Sequence, residues 1–166
     1  MTKTRTDQMS TRSDHVKKQI EEAFSGVPHP GDDAIVRGRD WESLELSASF
    51  RGKHWKEIPA ETLRRHHDDL ALFSPSGLQF YLPAYLLAAM RDDWDILCFV
   101  LLHLQPPPKD REPDRWGSFL SRFARFTPAQ KHAIRAFLEF VRDELPGRCC
   151  PPEEISSTLD LFWGQE

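Results

Sequence analysis

Residues 73–104 read FSPSGLQFYLPAYLLAAMRDDWDILCFVLLHL, the densest apolar stretch in an otherwise polar chain. Ser74 followed by Pro75 is a helix start: the hydroxyl accepts an orphan N–H of the first turn, and the proline has no N–H to satisfy. Pro83 in mid-helix would remove a hydrogen bond and clash with the preceding turn, at about 3 kcal/mol, so two helices meeting at a corner near Leu82 are expected. Asp92 and Asp95 bracket the next start. Residues 96–102 are apolar on every side, as in an element surrounded by neighbours. Only Ile96 and Val100 among them are β-branched, which favours helix over buried strand. The stretch therefore reads as core helices around a proline corner, with Tyr81 and Tyr85 holding their hydroxyls at the rim.

Outward from this core the chain continues as short helices. Ser13 suits the cap of a helix in which Val16, Ile20, Ala23 and Phe24 recur at spacings of three and four, ended by Gly26 and Pro28. Residues 29–39 carry turn signals at Pro30, Gly31 and Gly38 and read as a connection. Asp40 suits a cap for residues 41–50, with Trp41, Leu44 and Ala48 on the apolar face and Gly52 as the stop. Pro59 suits the first turn of a helix carrying Leu63 and Leu70, with Arg64, Arg65, Asp68 and Asp69 outside. Pro106, Pro107 and Pro108 form a stiff linker into a charged loop. Trp116, Phe119, Leu120 and Phe123 then share a helical face. Thr127, Pro128 and Gln130 form a capping box with proline at the first helical position, opening a helix through Ile134, Phe137, Leu138 and Val141. A last helix after Pro152 presents Ile155, Leu159 and Phe162. No repeat of fixed length emerges. The expected fold is all-α: an irregular single-domain bundle of about seven to eight short helices, with a flexible tail over residues 1–12 and one helical domain over 13–166.

Size and composition narrow the function classes. A chain of 166 residues matches one domain, and eleven Phe with five Trp require a core to bury them. The net charge of −4 argues against nucleic acid, whose phosphates call for clustered Lys and Arg. The apolar runs are shorter than the roughly 20 residues that span a bilayer, so no membrane partner is expected. The N-terminal residues Lys3, Arg5 and Arg12 lack the apolar run of a secretory signal. Three cysteines, Cys98 and the adjacent Cys149 and Cys150, show no C-x-x-C spacing. A reducing cytoplasm fits this pattern.

Candidate chemistry is sparse. His66, His67, Asp68 and Asp69 are metal-capable, but neighbours on a helix point about 100° apart and do not chelate one ion alone. They read as a solvated face with one histidine packed beside Leu63 or Leu70. His103, one turn after Phe99, faces inward without an identified partner. Phe50, Arg51, Gly52, Lys53, His54 and Trp55 place a lysine after a glycine but lack the G-x-x-x-x-G-K-[ST] frame that wraps phosphates. Lys53 and Trp55 read as a tight turn, indole packed and ammonium in water. The paired carboxylates, among them Glu21 with Glu22 and Glu153 with Glu154, are dispersed rather than set across a cleft as acid/base chemistry requires. No metal and no cofactor is implied.

The motifs F-x-G-K-x-W (Phe50, Gly52, Lys53, Trp55) and F-Y-L-P-A-Y-L (residues 80–86), with Ser74 and Pro75 between them, resemble a bacterial family known as a domain of unknown function. The similarity covers residues 16–141. It implies a small cytosolic bacterial protein and carries no catalytic residues; Gly77 departs from the better helix former expected there. Two functional expectations follow. The first is a non-catalytic protein-binding protein, most concretely an immunity protein neutralising a basic toxin through an acidic and aromatic surface. Asp32, Asp33, Asp68, Asp69, Asp92 and Asp93 would supply its acidic contacts. The alternative is an enzyme in which His54, His66 or His67 meets a carboxylate in a polar pocket.

Overall fold

A computed structural model describes residues 4–165. Among them the fold is all-α, with eight α-helices: α1 Arg5–Phe24, α2 Trp41–Phe50, α3 Ala60–Arg65, α4 Pro75–Ala89, α5 Trp94–Leu104, α6 Pro113–Phe123, α7 Pro128–Glu144 and α8 Pro152–Thr158. Extended pairing among the described residues is confined to an isolated antiparallel bridge between Val36 and Phe73. None of these helices is long and apolar enough to cross a membrane. The helices fall into two units, one formed by the chain up to Gly26 together with Thr127 onward, the other by Val27–Phe126.

The larger unit is built on α4, which corrects the expected corner at Pro83. The helix runs unbroken from Pro75 to Ala89 with Pro83 inside it, and all but Pro75, Ser76 and Leu87 of its residues are buried. The penalty of about 3 kcal/mol for an interior proline is outweighed because each large apolar side chain buried is worth about 1.5–3 kcal/mol. Ser74 caps α4 as read from the sequence, its Oγ accepting from the Gly77 N–H at 2.9 Å. The same hydroxyl donates to the Ala34 carbonyl, which binds the connection at residues 32–36 to the helix start. Ile35 is fully buried there, and its carbonyl accepts from the Ser74 N–H at 2.9 Å. Gly77 has its reason in this crossing: a Cβ at that position would stand 2.1 Å from the Ile35 oxygen.

Two other faces differ from expectation. On α2 the buried side is Ser43, Leu46, Ser47 and Phe50, while Trp41 is 71% and Leu44 55% exposed. Two stripes compete on this helix, and the one containing Phe50 wins because its ring joins a cluster with Phe73 at 5.4 Å and Tyr81 at 4.9 Å. Small Ser43 and Ser47 let that side approach closely. On α5, capped by the Asp93 side chain, Leu102 is 60% exposed, so the helix is covered on one side rather than all round. Asp92, just before the cap, takes the left-handed conformation that aspartate tolerates better than most residues.

The smaller unit pairs α1 with α7. Helix α1 starts at Arg5, not after Ser13: Thr4 accepts from the Asp7 N–H, and Arg12 reaches Asp143 and Glu144 of α7, each at 2.9 Å. Residues 5–12 of the expected flexible tail are therefore helical, and residues 1–3 lie outside the described residues. The capping box of α7 forms as read, with Gln130 also donating to the Ala23 carbonyl at 3.3 Å. After α8 the chain widens into a π turn over Leu159–Trp163, closed by the Gly164 N–H on the Leu159 carbonyl. The wider turn brings Trp163 into the buried set with Ile155 and Leu159 and leaves Phe162 only half-buried, where the helical period expected Phe162.

Candidate functional site

The segments carrying the two motifs meet in the larger unit. Gly52 follows α2 in the left-handed conformation, φ +69°, and its N–H donates to Asp32 at 2.9 Å. Lys53 turns back and donates from Nζ to the Ser49 carbonyl at 2.9 Å, satisfying an orphan acceptor at the end of α2. Its ammonium thus also caps the helix, on a residue that is half-buried. His54 and Glu57 form a reciprocal box: His54 Nδ1 accepts from the Lys56 N–H, and Glu57 accepts from the His54 N–H. Trp55 is buried, as expected of a packed indole.

From α4, the Tyr81 hydroxyl lies 2.8 Å from the Lys53 carbonyl and 3.1 Å from that of Phe50. His29 Nδ1 accepts from the Gly31 N–H at 3.0 Å, so its proton sits on Nε2, 3.1 Å from the Tyr81 oxygen. Burial first, then the Asp32 charge, raises the Tyr81 phenol well above its ordinary range. Tyr85 likewise donates to the His66 carbonyl at 2.9 Å. Both hydroxyls lie inside the core rather than at its rim, because these carbonyls provide the partners a buried phenol requires. A cleft of about 580 Å³ opens over the motifs, with His29, Asp32, Lys53, His54, Glu57 and Phe80 among its walls. Most polar groups around it are already spent on holding the turn.

His66 has the carboxylate neighbour that the enzyme expectation required. Its Nδ1 is 2.6 Å from Asp69 Oδ2 and its Nε2 is 2.9 Å from Ser49 Oγ. A carboxylate only accepts, so the Nδ1 N–H donates to Asp69, while the Ser49 hydroxyl donates its single proton to the Glu45 carbonyl. The order Ser, His, Asp is that of a hydrolase triad. The surroundings are not: His66 is 3% exposed, its ring packs edge-on against Phe50 at 5.9 Å, and the Ser49 hydroxyl is also 3.0 Å from the Glu45 carbonyl. Ser49 lies near the end of α2, and the following Arg51 N–H is committed to the Ser47 carbonyl at 2.9 Å. An oxyanion hole needs such N–H groups uncommitted and aimed at substrate. The relay fastens α2 to the end of α3. The spacing of His66 and Asp69 was visible in the sequence; Ser49, seventeen residues away, carried no signal.

The remaining candidates separate. His67 turns away from His66, bonding the Arg64 carbonyl at 2.8 Å and packing on Phe99 at 5.0 Å. His103 faces a small cavity beside Arg122; burial first, then the Arg122 charge, pulls its pKa down to about 4. The Cys150 thiol is raised by burial and then by Glu154, the reverse of an activated thiolate. Of the acidic pairs, Asp32 bonds Gly52 and lies 3.6 Å from Arg51, Asp69 holds His66, and Asp93 caps α5 and bridges Arg64 at 2.8 Å. Asp33 and Asp68 have exposed side chains.

Residues 12–149 match a family of unknown function, DUF6714. The chain belongs to this family. No match was found among curated proteins or among solved structures. The matched residues contain both motif segments and the cleft they line.

Proposed function

We propose that the protein acts by binding another protein, without catalysis of its own, and that its partner is basic, as a toxin neutralised by an immunity protein would be. The observation that supports this reading is the outward stripe of α2, where Trp41 is 71% and Leu44 55% exposed and Ala48 follows on the same side. An exposed tryptophan beside a leucine is the composition of an interface anchor. Glu42 and Glu45 flank the stripe, and the chain carries a net charge of −4. That charge pattern favours a basic partner and speeds its encounter.

The enzyme reading has the motif cleft and the His66–Asp69 contact in its favour. Binding is better supported because His66 is buried and His29 is bonded at both ring nitrogens. The test is co-expression with the product of the neighbouring gene in the native host. Wild-type chain is expected to relieve its toxicity and co-purify with it, and Trp41→Asp to fold normally and do neither. Retention of rescue by Trp41→Asp, or absence of toxicity in the neighbour, would remove the support for this reading.

A further inference from the structure

Among the described residues, the buried side-chain nitrogens without a hydrogen-bond partner are Trp55 Nε1 and Arg122 Nε. The Arg122 guanidinium carbon lies 5.6 Å from the centroid of the Phe123 ring, and the polar contacts of the other two nitrogens are long. Nη1 lies 3.5 Å from His103 Nδ1 and Nη2 lies 3.5 Å from the Leu70 carbonyl, both at the outer limit of a hydrogen bond. The neighbouring charge acting on it is another cation, Arg37; burial first, then that charge, lowers its pKa to about 10. Arg122 is half-buried, and a cation taken partly out of water without a counter-charge is costly to fold.

This guanidinium lines a cavity of about 320 Å³ between the end of α5 and α6, and none of the lining residues is acidic. Arg115, also in the wall, is paired with Glu112, so Arg122 is the cation left to be met. Leu102, Pro107 and Phe119 form apolar walls. A planar guanidinium matches a carboxylate, and apolar walls suit a ligand with little hydration beyond its charged end.

We propose that this cavity binds a small organic carboxylate, its anionic end held by Arg122 and its apolar body seated against Leu102, Pro107 and Phe119. The site uses none of the α2 stripe and stands independently of the partner-binding reading.

The test is titration of the full chain with benzoate, followed by the NMR signals of the Arg122 Nε–H and the His103 ring. Saturable single-site binding that moves both signals is expected, weakened about tenfold or more in Arg122→Gln. It should be unchanged in Arg64→Gln, whose guanidinium bridges Asp93 instead. Acetate, lacking the apolar body, should bind more weakly. Ser118 also lines the cavity, one helical turn before Arg122, so Ser118→Glu supplies a carboxylate from within. That variant retains Arg122 and is expected to melt at higher temperature and to lose benzoate binding, which keeps the test decisive if Arg122→Gln does not fold. Absence of saturable benzoate binding to the wild type, or undiminished binding by Ser118→Glu, would overturn the proposal. Inorganic phosphate binding as tightly as benzoate would overturn its assignment to carboxylates.

Discussion

Gly77 sits where the Ile35 carbonyl crosses the first turn of α4, and two physical terms of opposite sign meet there. Helix propensity favours alanine over glycine by about 1 kcal/mol. A Cβ 2.1 Å from a backbone oxygen forces apart a crossing that also carries the Ser74 bonds. The expected net effect of Gly77→Ala is a loss of about 2–3 kcal/mol in urea-unfolding free energy; an increase would show that the crossing yields freely. His103 supplies the pH-dependent counterpart. Its folded pKa of about 4 lies below the ordinary 6.5, so both folded and unfolded chains hold the ring neutral above that upper value. Between the two values the unfolded chain takes up a proton that the folded chain refuses. Stability therefore falls as pH drops through this window and levels off below it. Its contribution should be about 2 kcal/mol, discounted for partial solvent access, read as the difference between wild type and His103→Gln across the same pH range.

At the scale of elements, the sequence told where helices start far better than which way they face. Starts are local events: Asp40, Ser74 and Thr127 each cap the helix assigned to them, because a side-chain oxygen and an orphan N–H three residues on need no other part of the chain. Thr127→Ala should accordingly cost about 1 kcal/mol, measured by thermal or urea unfolding, while Thr127→Ser should cost little. Faces depend on distant partners. The α2 stripe of Trp41, Leu44 and Ala48 has good helical spacing, yet Phe50 turns the helix the other way to reach Phe73 and Tyr81. Pro83 inside α4 follows the same rule: its penalty is local and legible in the sequence, whereas the burial that offsets it comes from distant partners. The site divides likewise. His66 and Asp69 are neighbours in sequence, whereas the meetings of Tyr81 with Lys53 and of Arg122 with His103 are made by tertiary packing.

At the scale of the whole molecule, the two units differ in how far along the chain their contacts reach. Helices α4 and α5 are consecutive and pack on each other, so their contacts close short loops. The contact from Gln130 to Ala23 joins positions 107 apart, and closing a loop of that length must precede any gain from pairing α1 with α7. Leu86→Ala in α4 should therefore slow folding, with φ of about 0.5 or more, whereas Ile20→Ala in α1 should act mainly by speeding unfolding, with φ near zero. Stopped-flow chevrons of the two variants check this, and the reverse order would place the α1–α7 pairing in the nucleus. The same separation has a consequence during translation. At about 5–20 residues per second, α1 leaves the ribosome on the order of 5–20 seconds before α7, its natural cover. Throughout that interval Val16, Ile20 and Phe24, buried in the finished protein, stay uncovered, and the nascent chain is most open to chaperones and to aggregation.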